Sequence, residues 1–568
     1  MRRTSVIVLP LLAACAVERL APVVPAELVL THGAIWTATP ERPWAEAIAV
    51  REGHIVYVGD DGGVTRYIGS ETRVVDLTGR MVLPGFHDTH AHPLSGGLEL
   101  GECNLYDANT VEEAEGIIRA YATAHPERPW IKGNGWQLPV FPGGNPQKAI
   151  LDHIVPDRPA LLYAADGHSA WVNSKALALA GITRDTKDPV NGRIERDART
   201  GEPSGTLRES AIDLVASKLP EYTTEERIGA VRRALAEANR LGITSITDAD
   251  AGPEYLEAYT ALDRKGELTA RVTVAIHSES GTPVEQEAAR LRDIRKEYRS
   301  GNRLMVSAVK IYADGVIEAR TAALLAPYLD RPGNRGPLNY EPDDLAARIT
   351  AFDRDGFQVH VHAIGDRAIR VTLDALAHAH EVNGPRDARP IIAHLELLDP
   401  ADIPRFRELG VIASVQPYWA LPDDYITELT IPALGPARSR WIYPIASLMT
   451  SGAIVAAGSD WTVSSLNPLD AIQVAITRQV PDSPNGPVLN AEERVDLPRM
   501  LQAYTINGAY ATRLERETGS LVAGKAADLV VLDHNLFALP PTAIHTARVL
   551  LTMLDGQAVW RDTSFIKN

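Results

Sequence analysis

The segment Met81-Val82-Leu83-Pro84-Gly85-Phe86-His87-Asp88-Thr89-His90-Ala91-His92 runs an apolar stretch directly into an HxH pair. In an extended strand, residues i and i+2 point to the same side. His90 and His92 therefore present two imidazoles to one point in space. Imidazole suits zinc and other late divalent metals. In a (β/α) barrel, chemistry gathers at the C-terminal ends of the strands, and an apolar strand that ends in candidate ligands fits that position.

Beyond this segment, strands alternate with amphipathic helices, the pattern of a parallel sheet with helical crossovers. The strand candidates are Met81–Phe86, Ala160–Ala164, Ile243–Thr247, Val272–Ile276, Met305–Tyr312, Phe357–His362, Pro390–His394, Val411–Val415 and Ala453–Ala457, with helices such as Thr224–Leu241 and Arg367–Glu381 between them. That is one strand more than a (β/α)8 barrel holds, so Ala160–Ala164 is assigned to an insertion over about residues 100–220. Short β segments precede this region (Leu28–Leu30, Ile35–Thr37, Ala47–Val50, Ile55–Val58, Arg73–Leu77), and others follow it (Asp528–Asp533, Val549–Met553, Gln557–Trp560). Two terminal β regions around an α/β middle predict one composite sandwich. The fold expected is α/β: a (β/α)8 TIM barrel over residues 81–517, with a small β-sandwich built from residues 27–80 and 518–568.

Further candidate ligands follow in order along the chain. In Phe357-Gln358-Val359-His360-Val361-His362, the apolar residues share one face, and Gln358, His360 and His362 share the other. The polar face points into a barrel. His362 comes last, at the turn into the next helix, so it is favoured over His360 as a ligand. His394 ends the apolar run Pro390–Ala393, where it is either a satisfied core histidine or a ligand. Asp460 closes Val455–Ser459, where a carboxylate is costly unless paired or metal-bound. Lys310 lies mid-strand in Val306–Tyr312. Burial there lowers a lysine pKa and makes the amine reactive, for instance toward carbon dioxide. The alternatives for Lys310 are an ion pair with Asp314 or an outward course along the helices. A third HxH, His378-Ala379-His380, falls inside a helix, where i and i+2 diverge, and is read as surface decoration.

The formal net charge of −16 argues against nucleic acid or an anionic membrane surface as a main partner. No phosphate-binding loop or dinucleotide fingerprint occurs. The acidic pairs Glu112-Glu113 and Glu225-Glu226 read as solvated helix faces. At the N-terminus, Arg2 and Arg3 precede an apolar run, Ser5–Ala14, too short to span a bilayer. Leu12-Ala13-Ala14-Cys15 resembles a bacterial lipoprotein lipobox. Residues 1–14 are thus expected to be a signal peptide, Cys15 the lipidated residue and 15–26 a linker. The protein would then be exported and anchored in the bacterial cell envelope, touching membrane only through that lipid. Cys103, the other cysteine, reads as a small buried hydrophobe, with no intramolecular disulfide possible.

Taken in order, the strings PGFHDTHAH (84–92), VKIYADG (309–315), VHAIGD (361–366), IIAHLE (391–396) and GSDW (458–461) resemble the amidohydrolase superfamily. More narrowly, they are similar to the branch containing N-substituted formamide deformylases, as are DGHSAWVN (166–173), GITS (242–245), QP (416–417) and GSLVAGKAAD (519–528). The resemblance implies two divalent metals, with zinc the leading identity. His90 and His92 would bind one, His362 and His394 the second. Carbamylated Lys310 would bridge them, and Asp460 would touch metal and act as general base. His87 departs from the pattern, where Ile or Val is more usual, and reads as a packing variant.

The implied reaction is hydrolysis of a non-peptide carbon–nitrogen bond of amide type. A metal-bound hydroxide would attack a carbonyl while Asp460 takes the water proton and returns it to the leaving nitrogen. Without carbamylation, a one-metal site on His90, His92, His362 and Asp460 remains. The same residues would serve a lactonase, a cyclic-amide hydrolase or a deaminase, and a non-catalytic lipoprotein that kept the fold is a further alternative. For a small-molecule substrate, Trp136, Trp171, Tyr418, Trp419 and Trp461 are candidate pocket walls. His168 and Asn173 are candidates to orient the substrate carbonyl.

Overall fold

The computed structural model describes residues 23–165, 168–189, 192–298, 301 and 303–567. The proposed signal peptide and Cys15 lie outside the described residues. An eight-stranded parallel sheet forms the centre. Its strands are, in chain order, Phe86–Ala91, Ile243–Ala251, Arg271–His277, Leu304–Tyr312, Gln358–Ala363, Ile391–His394, Ile412–Val415 and Ile454–Ala457. They are called barrel strands 1 to 8 below. Neighbours in sequence are neighbours in the sheet, the strand order of a (β/α)8 barrel.

Strands 8 and 1 close the barrel by single bonds rather than a ladder. Thr89 Oγ1 donates to the Ala457 carbonyl at 3.0 Å, the Asp460 N–H to the His90 carbonyl at 2.7 Å and the His92 N–H to the Trp461 carbonyl at 2.8 Å. Gly458 permits this approach, since a Cβ there would stand 2.6 Å from the His90 nitrogen.

The opening apolar run serves two sheets. Met81–Pro84 pairs with Ala34–Trp36 and Leu529–Leu532 in a six-stranded sheet built from both chain ends. The first barrel strand is therefore Phe86–Ala91, not Met81–Phe86, and the barrel begins after Gly85 rather than at residue 81. A run buried on both faces carries no period that marks where one sheet hands over to the next. Met81 and Leu83 pack into the barrel core, while Val82 faces the sandwich core with Leu30, Ile48, Leu529 and Val531. A four-stranded sheet of Leu28–Thr31, Ala47–Arg51, His54–Gly59 and Arg73–Asp76 supplies the opposite layer.

The insertion between barrel strands 1 and 2 has a six-stranded sheet of its own, which includes Ala160–Ala164. Ala160, Leu162 and Ala164 pack with helices Val111–Ala124 and Lys148–Ile154, and Leu161 packs on the other face with Ser174–Leu179. Cys103 is buried in this sheet, and burial pushes its thiol up to about 12. The acidic pairs do more than face solvent. Glu226 closes a capping box with Thr223, and the Glu113 N–H bonds the Thr110 hydroxyl. Among the described residues, no helix is long and apolar enough to cross a membrane.

Candidate metal centre

Barrel strand 1 delivers His90 and His92 to the rim, and the turn after strand 8 delivers Asp460 opposite them. His92 Nε2 stands 3.0 Å and His90 Nε2 3.5 Å from Asp460 Oδ1. The ligand atoms of these residues lie within 4.8 Å of one another, the span of a single ion's coordination sphere. Lys310 reaches in from strand 4, with Nζ 3.1 Å from His90 Nε2. On the other side, the His362 and His394 rings stand 4.5 Å apart, and the His90 and His394 rings 4.7 Å apart. Residues spread over most of the chain thus meet at one end of the barrel.

The donor set suits cations. Burial holds the His90 and His394 imidazoles well below their ordinary range and brings His362 down to about 4, so each is neutral with a lone pair to offer. For His92 burial acts in the same direction, but the hydrogen bond and charge of Asp460 overcome it and raise the imidazole. Burial also brings Lys310 down to about 8, which leaves a fraction of neutral amine near neutral pH. Asp460 Oδ1 is buried and faces ring nitrogens of both His92 and His90, and a carboxylate taken out of water there is costly unless positive charge meets it. These residues fit a divalent metal.

Supporting groups fix the ring orientations. His360, one pleat deeper on strand 5, places Nε2 2.9 Å from His90 Nδ1, leaving His90 Nε2 toward Asp460 and Lys310. His394 Nδ1 lies 3.0 Å from Gln416 Oε1, and Trp419 stacks on the ring at 5.4 Å and 8°. A protonated Nδ1 frees Nε2 as the ligand atom. His394 and Asp460 hold left-handed backbone, at φ 78° and 54°, strain of order 1–3 kcal/mol each that tightly determined sites sustain.

Other sequence candidates stand elsewhere. Asp314 does not pair with Lys310. It accepts the N–H groups of Ile364, Gly365 and Ala323 at 2.8–3.0 Å and ties together the loops after strands 4 and 5. Asn173 is not a substrate group: its Oδ1 accepts from Ala160 and Ala176, and its Nδ2 donates to Val155 and Arg158. Trp136 is likewise structural, buried in the insertion core with Nε1 bonded to the Leu162 carbonyl. Trp171 shares that core. His168 is exposed and paired with Glu209 at 3.1 Å. Trp461, adjacent to Asp460, lines a cleft with Glu99, Leu100, Tyr106 and Asn134. Its ring lies against Gly96, where a Cβ would come within 2.4 Å. His378 and His380 are exposed on helix Asp366–Asn383.

Asp248, Asp250, His277, Tyr312 and Gln416 lie at or near the C-terminal ends of strands and are not among the candidates named from the sequence, although Tyr312 and Gln416 fall inside the strings VKIYADG and QP. Polar residues closing an apolar strand are the same signal that singled out Asp460, and Thr247-Asp248-Ala249-Asp250 carries it.

Residues 73–560 match the amidohydrolase family. The chain belongs to that family. It is 32% identical over 548 residues to the Arabidopsis thaliana protein LONG AFTER FAR-RED 3, covering 94% of this chain and 92% of that one. It is 26% identical to the N-substituted formamide deformylase of Arthrobacter pascens over 93% of this chain and 97% of that one. A solved metal-dependent hydrolase from Pyrococcus furiosus superposes with a TM-score of 0.72 at 26% identity, covering 89% of this chain and 99% of that one. The chain is thus a hydrolase of the metal-dependent amidohydrolase type, with a metal-binding TIM barrel.

Proposed function

We propose that this amidohydrolase cleaves a non-peptide carbon–nitrogen bond of amide type in a small molecule. The observation that carries the reading is the convergence of His90, His92 and Asp460 with Lys310 at 3.1 Å from His90. His90 and His92 would hold one divalent ion, and His362 and His394 a second, with zinc the first candidate. Lys310 would lie between them as its carbamate, formed when the neutral amine attacks carbon dioxide and loses a proton. Divalent ions there supply Lewis acidity, which lowers the pKa of water and polarises a carbonyl oxygen. Asp460 accepts the proton of the attacking water, its carboxylate steadied by His92 at 3.0 Å. Trp461 and its cleft stand next to Asp460 and would receive one side of the substrate. The similarity to an N-substituted formamide deformylase favours amides among the bonds this family's chemistry covers.

Metal analysis of purified protein, with and without added bicarbonate, tests the site. About two equivalents, with bicarbonate required for the second, are expected. A panel of N-substituted amides, lactones and amino-heterocycles tests the bond, and turnover confined to the lactones or heterocycles would overturn the amide reading. Lipidation at Cys15 and a place on the cell envelope remain part of the proposal. Cys15→Ser should release the protein from the membrane fraction, and retention of that variant would refute the anchor.

A further inference from the structure

Helix Pro93–Glu99 leaves the candidate metal centre directly after His92, and Trp461-Thr462 leaves it directly after Asp460. The two segments stay together. The His92 N–H donates to the Trp461 carbonyl at 2.8 Å, the Trp461 ring lies on Gly96, and the Thr462 hydroxyl donates to Glu99 Oε1 at 3.1 Å. The cleft that Trp461 lines opens between these segments and the insertion, with a volume of about 190 Å³. Pockets for drug-sized ligands run to about 300–1,000 Å³, so this one suits a small group. The helix carries Glu99 about 10 Å along its axis from His92.

The cleft holds a carboxylate that lacks a basic partner. Among the described residues no Lys, Arg or His forms an ion pair with Glu99, and the Thr462 hydroxyl engages only Oε1, which leaves Oε2 open. Lys132 is already paired with Glu102 at 2.8 Å. Asn134 lines the same cleft and donates Nδ2 to Glu102 Oε2 at 2.9 Å, so its Oδ1 is the atom left to accept. Burial and the neighbouring Glu102 outweigh Thr462 and Lys132 and hold the Glu99 carboxyl above its ordinary range. A cation arriving in the cleft would offset part of that cost.

We propose that this cleft takes an ammonium group of the substrate, so that the amide cleaved carries a positively charged arm. This deepens the amide-hydrolase reading above and rests on it. A protonated amine has only N–H donors to offer, and Glu99 Oε2 and Asn134 Oδ1 are both acceptors. The faces of Trp461 and Tyr106, which share the cleft, attract a cation through the ring quadrupole. The methylene stem of the arm can lie along Leu100 and these rings, with the amide directed back toward His92 and Asp460. An anionic arm would be repelled by Glu99 and Glu102, since Lys132 is already engaged. A neutral alkyl arm would strip water from the Glu99 carboxylate and give it no partner.

The test uses three formamides of matched length that differ at the far end: N-(5-aminopentyl)formamide, N-hexylformamide and 6-formamidohexanoate. Wild type and Glu99→Gln are compared at equal metal content and equal thermal stability. Wild type should favour the aminopentyl amide over the other two in kcat/KM. Glu99→Gln should lower the ratio of cationic to neutral amide by about 10-fold or more, the worth of a hydrogen bond to a charged group, chiefly through KM. Calorimetric binding of pentylammonium to the metal-loaded protein gives a readout apart from turnover, and it should weaken in the same variant. Equal kcat/KM for the cationic and neutral amides in wild type, or a ratio that Glu99→Gln does not move, would overturn the cation site while leaving the amide reading intact. Pentylammonium bound by wild type and lost in Glu99→Gln, with no amide of any charge turned over, would overturn the amide reading alone.

Discussion

At His90, Nε2 faces Asp460 at 3.5 Å and Lys310 at 3.1 Å, while Nδ1 meets His360 at 2.9 Å. His360 thus acts through His90, fixing its ring without reaching the rim. His360→Ala should weaken metal affinity by about 10–100-fold, the usual cost of losing an outer-shell partner, with activity restored by excess metal. Equilibrium dialysis checks this, and unchanged affinity would assign His360 to packing alone. His90→Ala and Asp460→Asn should abolish turnover without unfolding the chain, whereas His378→Ala, exposed on its helix, should match wild type. His87 carries a different consequence. Both ring nitrogens are buried without partners, and burial holds the imidazole down to about 3. An unfolded histidine protonates near pH 6.5, so below that the unfolded state binds the extra proton. Stability from this group is therefore full above about pH 6.5 and falls toward pH 3 by up to ~1.4 kcal/mol per unit. His87→Leu should flatten that part of the pH–stability curve, as denaturant titrations at stepped pH would show, and a curve of unchanged slope would refute it. At this scale the rim was legible where a polar residue closes an apolar strand, as at His394 and Asp460. It was not legible for Asn173 and Trp136, whose roles depend on backbone groups brought close only by the folded insertion.

Between elements, the seam of the barrel is the least redundant contact, because strands 8 and 1 share isolated bonds in place of a ladder. Gly458 sits at its centre. A methyl group there would meet the His90 nitrogen at 2.6 Å, His90 Cβ at 2.9 Å and Asp88 Oδ1 at 3.0 Å, with no flexible side chain to yield. Gly458→Ala should therefore cost about 1–3 kcal/mol through overpacking and shift Asp460 away from His90 and His92. Calorimetry together with metal titration would detect both, and a variant of wild-type stability with full metal affinity would show that the seam is more pliable than its contacts indicate. Strand identities were readable from alternation, as in Phe357–His362, because inward polar and outward apolar residues differ there at every step. The handover at Pro84-Gly85 was not, because Met81–Leu83 is apolar on both faces and is covered by a different core on each.

For the whole molecule, the sandwich and the barrel are joined by charge as well as by apolar packing. Arg271, which opens barrel strand 3, donates Nε to Asp528 Oδ2 at 2.9 Å and also pairs with Asp555. Arg303 donates to Asp555 Oδ2 at 2.7 Å. Asp528 and Asp555 belong to the C-terminal part of the sandwich, so a segment more than 200 residues downstream in sequence anchors the base of the barrel. No motif announced this network, since its members are ordinary charges until the two chain ends meet. Burial disfavours the charge on Asp555, yet Arg271 and Arg303 hold its carboxyl below the usual range. The stabilisation from that group is then fully present above the ordinary aspartate pKa and is lost as pH falls through the lower folded value. Asp528 is the more buried partner and also accepts the Asp555 N–H at 2.7 Å. Asp528→Ala leaves the buried Arg271 to the partly exposed Asp555 and should cost about 3 kcal/mol, whereas removing Arg271 and Asp528 together should cost less than the sum of the separate changes. A double-mutant cycle by denaturant unfolding measures that coupling. A coupling near zero would mean that apolar burial alone docks the sandwich on the barrel, and that the C-terminal strands could be repacked without disturbing barrel strand 3.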